Sequence, residues 1–123
     1  EVKLGILPAI ISPFVLARIG EGHARALFAS GERFDAERAL RIGLVHRTAG
    51  DLDAAVAETV SQLKSSGPEA VRECKKLIAH VASHDLSDAI PYTIEAIATR
   101  RVSEEGQDGM KAFLEKKKAP WAE

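Results

Sequence analysis

The chain has 123 residues, 46% hydrophobic and 28% charged, enough for one modest core and too apolar for disorder, yet no apolar run reaches the length that crosses a bilayer. Seventeen basic residues against 18 acidic ones leave a formal charge of −1, so nothing in the balance points to nucleic acid or a membrane surface as a partner. A single cysteine, Cys74, excludes an internal disulfide framework and suits a reducing, cytoplasmic setting.

The chain opens on EVKLGIL, where Val2, Leu4, Ile6 and Leu7 surround one Lys3. That pattern predicts a short, mostly buried extended segment. With no initiating methionine and a start inside what reads as a strand end, the chain is expected to be a fragment, and any leader would lie outside it. Pro8 then removes a backbone donor and Ala9-Ile10-Ile11 has no polar position, which predicts a packed loop. Ser12 is read as a cap and Pro13 as the first residue of a helix whose buried stripe is Phe14, Val15, Leu16 and Ile19, stopped by Gly20 in the left-handed conformation.

Glu21 to Ser30 reads as a second helix, with Ala24, Leu27 and Phe28 inward and Gly31 as its stop. After an extended link at Glu32-Arg33-Phe34, Asp35 is placed to cap a helix over Ala36 to Ile42 that Gly43 ends, and Leu44 to Arg47 returns as a brief extended piece. Longer helices follow. From Asp51, Leu52, Val56, Val60 and Leu63 recur at helical spacing until Gly67-Pro68 closes one helix and opens the next. Pro68 to Ser83 sets Val71, Cys74, Leu77, Ile78 and Val81 on one face, with Arg72, Lys75 and Lys76 as a solvated opposite face, and Cys74 as a small core residue. Ser87 is read as the cap of a third helix carrying Ile90, Ile94, Ile97 and Ala98, with Pro91 early enough to be tolerated. Ser103 caps the last helix. Glu104 and Glu105 sit near its positive end, Met110, Phe113 and Leu114 are its apolar contacts, and Lys116, Lys117 and Lys118 follow before Pro120. No internal repeat or linker interrupts the sequence.

Three blocks in order, EVKLGILPAIISPFVLARIG, GERFDAERALRIGLVHR and SEEGQDGMKAFLEKKKAPW, closely resemble the C-terminal half of the crotonase superfamily, the enoyl-CoA hydratases and isomerases. The likeness covers essentially the whole chain, and its P-A-x-I-S-P version resembles the methylglutaconyl-CoA hydratase-like branch. The resemblance implies an α/β crotonase (ClpP/crotonase-like) fold for the full subunit, with a spiral of β-turns upstream. This portion would be mostly α-helical with short strands. Residues 1–50 would form the C-terminal end of the core with the active-site loop and first helices, and residues 51–123 a helical trimerisation region. Implied partners are an acyl-CoA substrate, the upstream half of the same enzyme, and copies of the subunit in a homo-trimer or dimer of trimers. No metal or redox cofactor is implied, since coenzyme A is part of the substrate.

By the same resemblance, Glu1 falls on one of two glutamates that together hydrate an α,β-unsaturated acyl-CoA. Adding water to an enoyl thioester needs one carboxyl group to activate the water and another to hand a proton to the α-carbon. The companion glutamate and the backbone donors for the thioester oxygen are expected upstream. Taken by itself, a terminal glutamate is usually an exposed charge. Pro8, Ala9, Ile10 and Ile11 replace a glycine-rich loop and are expected to line and narrow the acyl pocket, or simply to fold inward. Phe113 and Lys116 match positions where the family's last helix reaches the coenzyme A nucleotide of a neighbouring subunit; a solvated lysine at a helix end is the plainer reading.

The other polar residues carry less. His80 and His84 share a helix face but no third ligand is patterned near them, so no metal site is expected. His23 and His46 read as surface or capping residues. Two alternatives stay open: an enoyl-CoA isomerase, which shifts a double bond without consuming water, and a non-catalytic oligomerisation fragment. Alone, the chain is expected to be inactive.

Overall fold

A computed structural model describes residues 1–122, which divide into two units, 1–51 and 52–122. Among the described residues all regular structure is helical, and the short strands expected at the start and on either side of the Ala36 helix are absent.

In the first unit Val2–Leu4 is a single 3₁₀ turn. Leu4 N–H donates to the Glu1 carbonyl at 2.8 Å, Gly5 N–H to the Val2 carbonyl at 3.1 Å, and Gly5 closes the turn at φ 77°. Val2, Leu4, Ile6 and Leu7 are exposed, which corrects the buried extended reading. An extended segment needs a neighbouring strand for its backbone donors and acceptors, and the tight turn satisfies them locally instead.

Helix α1 (Ser12–Ser30) follows, with Pro13 in its first turn. Ile11 occupies the cap position, so Ser12 is already helical and its hydroxyl donates back to the Ala9 carbonyl at 2.9 Å. The serine cap was therefore misplaced by one residue. Gly20 breaks α1 with φ 72° and ψ 167°, the positive φ expected of it, though its ψ is extended rather than left-handed helical. Phe14 and Leu16 are exposed. The buried cluster is Ile19, Ala24 and Ile42, against which Val15, Leu27, Phe28 and Leu44 fold.

Gly31 ends α1 in the left-handed conformation. Asp35 caps α2 (Ala36–Arg41), its Oδ1 accepting from Arg38 N–H at 2.9 Å. The exit of α2 is a Schellman turn: Gly43 N–H donates to the Leu40 carbonyl at 3.1 Å and Leu44 N–H to the Ala39 carbonyl at 2.9 Å, with Gly43 at φ 78°. Leu44 to His46 then runs as a bend, and Arg47 is in irregular structure.

The second unit holds α3 (Leu52–Lys64), α4 (Pro68–Ser83), α5 (Leu86–Val102) and α6 (Glu104–Leu114). Helix α5 lies against both α4 and α6. The buried apolar side chains here are small, Ala89 and Ala112. The long apolar stripes are at helical spacing as predicted, but Leu52, Val56, Val60 and Leu63 on α3, Ile78 and Val81 on α4, Ile90, Ile94 and Ile97 on α5, and Phe113 and Leu114 on α6 remain exposed. Cys74 is exposed as well, which corrects its placement in a core. Alanine lets helix backbones approach closely, and the large apolar side chains of these stripes stay outward.

Helix α5 starts at Leu86 with Asp85 at the cap position, two residues before the expected Ser87, and Pro91 falls inside the helix rather than in its first turn. Ser103 caps α6 as predicted, its Oγ accepting from Gly106 N–H at 3.1 Å and donating to the Arg100 carbonyl at 2.7 Å. Helix α6 ends before Pro120 is reached, in a second Schellman turn. Lys116 N–H donates to the Phe113 carbonyl at 3.1 Å and Lys117 N–H to the Ala112 carbonyl at 2.9 Å. Lys116 takes the position that Gly43 takes in the first turn, at φ 55°, and is the one described non-glycine residue with positive φ.

A left-handed residue other than glycine costs about 1–2 kcal/mol, part of which glycine returns through its freer unfolded chain. Lys116→Gly is therefore expected to stabilise the protein by about 0.5–1 kcal/mol, measured by denaturant unfolding; a loss of stability would mean that the lysine side chain itself braces the turn.

Candidate functional site

The two groups of residues singled out in the sequence lie in different units. In the first unit, Glu1 sits at the head of the 3₁₀ turn with its side chain exposed and, among the described residues, without a hydrogen-bonding or ionic partner. Its carbonyl does the local work, accepting from Leu4 N–H and, at 3.3 Å, from Ile6 N–H, which folds the following chain back toward it. The loop is then drawn into two further turns by Ala9 N–H to the Leu7 carbonyl at 2.8 Å and Ser12 N–H to the Pro8 carbonyl at 3.0 Å. Pro8 is half-buried. Ala9, Ile10 and Ile11 are exposed, Ile10 at 91%, so the isoleucines do not fold inward. An exposed carboxylate beside a strip of exposed apolar side chains is what this part of the chain presents.

Arg18, on α1, bridges to the segment after α2. Its Nε–H donates to the Leu44 carbonyl at 3.3 Å, and its Nη2 lies 2.6 Å from His46 Nε2 and 3.1 Å from Nδ1. A guanidinium has only donors, so the imidazole nitrogen accepts. His46 thus braces this unit, a role that nothing in its sequence neighbours indicated.

In the second unit His80 and His84 do share a face of α4, but their rings stack at 3.9 Å, and His80 stacks on its other side against Tyr92 of α5, also at 3.9 Å. Stacked rings present faces to each other rather than converging nitrogens. His84 Nδ1 donates to the His80 carbonyl at 2.8 Å, and the described residues contain no group of three potential metal ligands.

Phe113 is 82% exposed, and Lys116 is exposed on the left-handed turn directly behind it. What fixes the start of α6 is Glu105, whose side chain is 13% exposed. Its Oε2 accepts from Glu69 N–H and its Oε1 from Ala70 N–H, each at 2.8 Å, and Arg100 Nη2 donates to Oε1 at 2.6 Å. Pro68 has no N–H, so Glu69 and Ala70 are the first free donors of α4. Gly67, at the cap position, has no side chain to serve them. The acceptor arrives instead from α6. A Cβ on Gly67 would lie 2.7 Å from Glu105 Oε1, so the glycine leaves room for the carboxylate. Burial opposes the charged form, but the two amides and the guanidinium outweigh it and hold the Glu105 carboxyl below its usual range. Glu105 therefore caps α4, not the helix it belongs to.

The family described as enoyl-CoA hydratase/isomerase matches residues 1–123, and the chain belongs to it. The short-chain-enoyl-CoA hydratase of Clostridium acetobutylicum is 33% identical over 121 residues, covering 96% of this chain and 46% of that protein. The crotonyl-CoA hydratase of Syntrophomonas wolfei is 32% identical over 122 residues, covering 97% of this chain and 47% of that protein. Among solved structures, an enoyl-CoA hydratase from Shewanella pealeana matches with a TM-score of 0.90 at 40% identity, over 98% of this chain and 46% of that one. The helices thus have the layout of part of a crotonase-fold hydratase, and the chain spans about half the length of the relatives it matches.

The Glu105 cap carries a dependence on pH. A carboxyl with a lower pKa in the folded state adds stability above the ordinary carboxylate range, and that share is lost as pH falls through the folded-state value. Glu105→Gln should lower stability at pH 7 by about 1–2 kcal/mol and flatten the acid limb of the stability profile. Denaturant unfolding at pH 7 and pH 4 checks both; equal stability of the two proteins at pH 7 would refute the cap.

Proposed function

We propose that this chain supplies the C-terminal half of an enzyme that adds water across the double bond of an α,β-unsaturated acyl-CoA, with Glu1 as one of its two working glutamates. The observation that carries this reading is the family match over residues 1–123, joined by relatives whose names are those of enoyl-CoA and crotonyl-CoA hydratases. In the proposed reaction one carboxylate takes a proton from water as the water oxygen bonds the β-carbon. The other carboxyl group, protonated, delivers its proton to the α-carbon, so one water is consumed and both carboxyl groups together return to their starting charge. The second glutamate and the donors that stabilise the enolate-like thioester oxygen belong to the other half of the subunit. An exposed Glu1 with no partner among the described residues is free to face them.

Exposed Ile10 and Ile11 support a second part of the reading, that this loop forms a wall of the acyl pocket and favours a branched chain of the methylglutaconyl type. Phe113 and Lys116 are proposed to meet the coenzyme A nucleotide, the lysine as a point charge for a phosphate and the ring as an apolar platform. Coenzyme A belongs to the substrate, and neither a metal nor a redox cofactor enters the reaction proposed here. The full subunit is proposed to be an α/β crotonase assembling as a trimer or dimer of trimers. Exposed apolar stripes on α3 and α5 are in keeping with that. Isomerisation of a 3-enoyl thioester is the second reading, since the matched family spans both reactions.

In the intact enzyme Glu1→Gln is expected to leave the melting temperature unchanged and to lower hydration of crotonyl-CoA by at least about 100-fold. Near-normal turnover by that variant rejects the assignment, while loss of 3-enoyl isomerisation with no water added by the parent enzyme favours the second reading. Lys116→Glu is expected to raise the KM for acyl-CoA about tenfold, equivalent to about 1.4 kcal/mol, with little change in kcat. An unchanged KM in steady-state assays would reduce Lys116 to a solvated helix end.

A further inference from the structure

We propose that Trp121 is a positioning residue for the phosphate contact of Lys116, an inference that rests on the reading of Lys116 given above. Lys116 stands in a left-handed conformation that its own Cβ disfavours, and its turn is held on the α6 side by backbone hydrogen bonds from Lys116 and Lys117 to the Phe113 and Ala112 carbonyls. The far side of the turn is held by tryptophan. Ala122 N–H donates to the Ala119 carbonyl at 2.9 Å, a turn with Pro120 at its second position, which reverses the chain and brings the Trp121 ring back toward the helices. There the indole Nε1–H donates to the Ser65 carbonyl at 3.2 Å, beyond the end of α3. The ring lies over Gly109 of α6, where an added Cβ would come within 2.8 Å of its Cη2.

Residues 116–121 are therefore a closed loop tied at both ends, to α6 by the Schellman turn and to the α3–α4 corner by the indole. Gly109 is flat for the same reason that Gly67 is: a side chain there would displace the group that makes the tie. Removing the indole leaves Lys116 in a disfavoured conformation at the root of a free segment, and the turn opens. The lysine charge then samples a wide volume, which weakens phosphate binding without touching the atoms that react.

The test compares two substrates of the intact enzyme, crotonyl-CoA and crotonyl-pantetheine, which share the thioester and the pantetheine arm, while only the first carries the nucleotide with its phosphates. Trp121→Ala should raise the KM for crotonyl-CoA about tenfold, leave kcat within about twofold, and leave the KM for crotonyl-pantetheine unchanged. Trp121→Phe keeps a ring over Gly109 and loses only the N–H donor, and should fall between, near threefold. Should the alanine variant not fold, the phenylalanine variant decides, and an unchanged KM for crotonyl-CoA overturns the proposal. It is equally overturned if KM rises alike for both thioesters or if kcat falls with it, since either marks a general structural role. Lys116→Glu separates the two levels. If it raises the KM for crotonyl-CoA and Trp121→Ala does not, the positioning role alone fails; if neither variant moves that KM, the phosphate contact fails and the positioning role goes with it.

Discussion

The second unit depends on one carboxylate serving a helix other than its own. Helix α4 begins Gly67-Pro68, a sequence that provides neither a side-chain cap nor a first N–H, and the two donors that follow would be left unpaired. Glu105 reaches across from α6 to accept both, and Arg100 of α5 neutralises it, so one side chain joins the ends of three helices. Charge-assisted hydrogen bonds of this kind contribute about 1.5–3 kcal/mol each, well above an exposed ion pair. Surface pairs such as Arg72 with Glu69 add little beside it. The geometry has further requirements. A Cβ at Gly106 would collide with the Arg100 carbonyl, to which the Ser103 hydroxyl also donates, so the α5–α6 corner is shaped to aim the carboxylate.

Signals that act within one turn of the chain were legible in the sequence. Asp35 and Ser103 cap their helices, Gly31 and Gly43 end theirs in positive φ, and Pro68 to Ser83 has the boundaries its punctuation indicates. Each of these is decided by a residue and its neighbours three or four positions away. Glu105 was not legible as a cap for α4, because its partners are 35 and 36 residues distant and two acidic residues at a helix start already have a sufficient local explanation. Its one trace was negative, a Gly-Pro helix start with no acceptor of its own. Trp121 left no trace at all, since a tryptophan after a proline says nothing about Ser65. The strand reading of Val2 to Leu7 failed for a different reason: a short apolar run specifies a strand only where another strand offers a ladder.

The apolar stripes carry a separate lesson. Their period was right and their burial was wrong, because spacing tells which side chains share a face and not what covers it. Within the second unit α5 meets α4 and α6, with Ala89 and Ala112 buried, while Ile94, Ile97 and Phe113 stay outward. A monomer seldom keeps so much large apolar surface uncovered. Under the proposed function those faces meet the rest of the subunit and its copies, which gives the large residues a reason to be large and the alanines a reason to be small. The candidate catalytic residue follows the same logic, since Glu1 acquires a chemical role only opposite a second acid that another part of the enzyme supplies.

Two Schellman turns in one chain make an internal comparison. At the end of α2 the left-handed position is glycine, and nothing beyond the helix stop needs explaining. At the end of α6 the same backbone is built with Lys116, which gives up the stability that glycine would provide. A residue held in a disfavoured conformation persists only where its surroundings over-determine it, and such positions gather at binding and catalytic sites. Here the surroundings are visible: two carbonyls of α6 before the lysine, and an indole locked to Ser65 and Gly109 after it. A simple helix terminus does not need a second anchor. Under the proposed reading of Lys116, a cation that meets a phosphate at a fixed place does, because a flexible four-carbon side chain gains specificity only from the rigidity of the backbone that carries it.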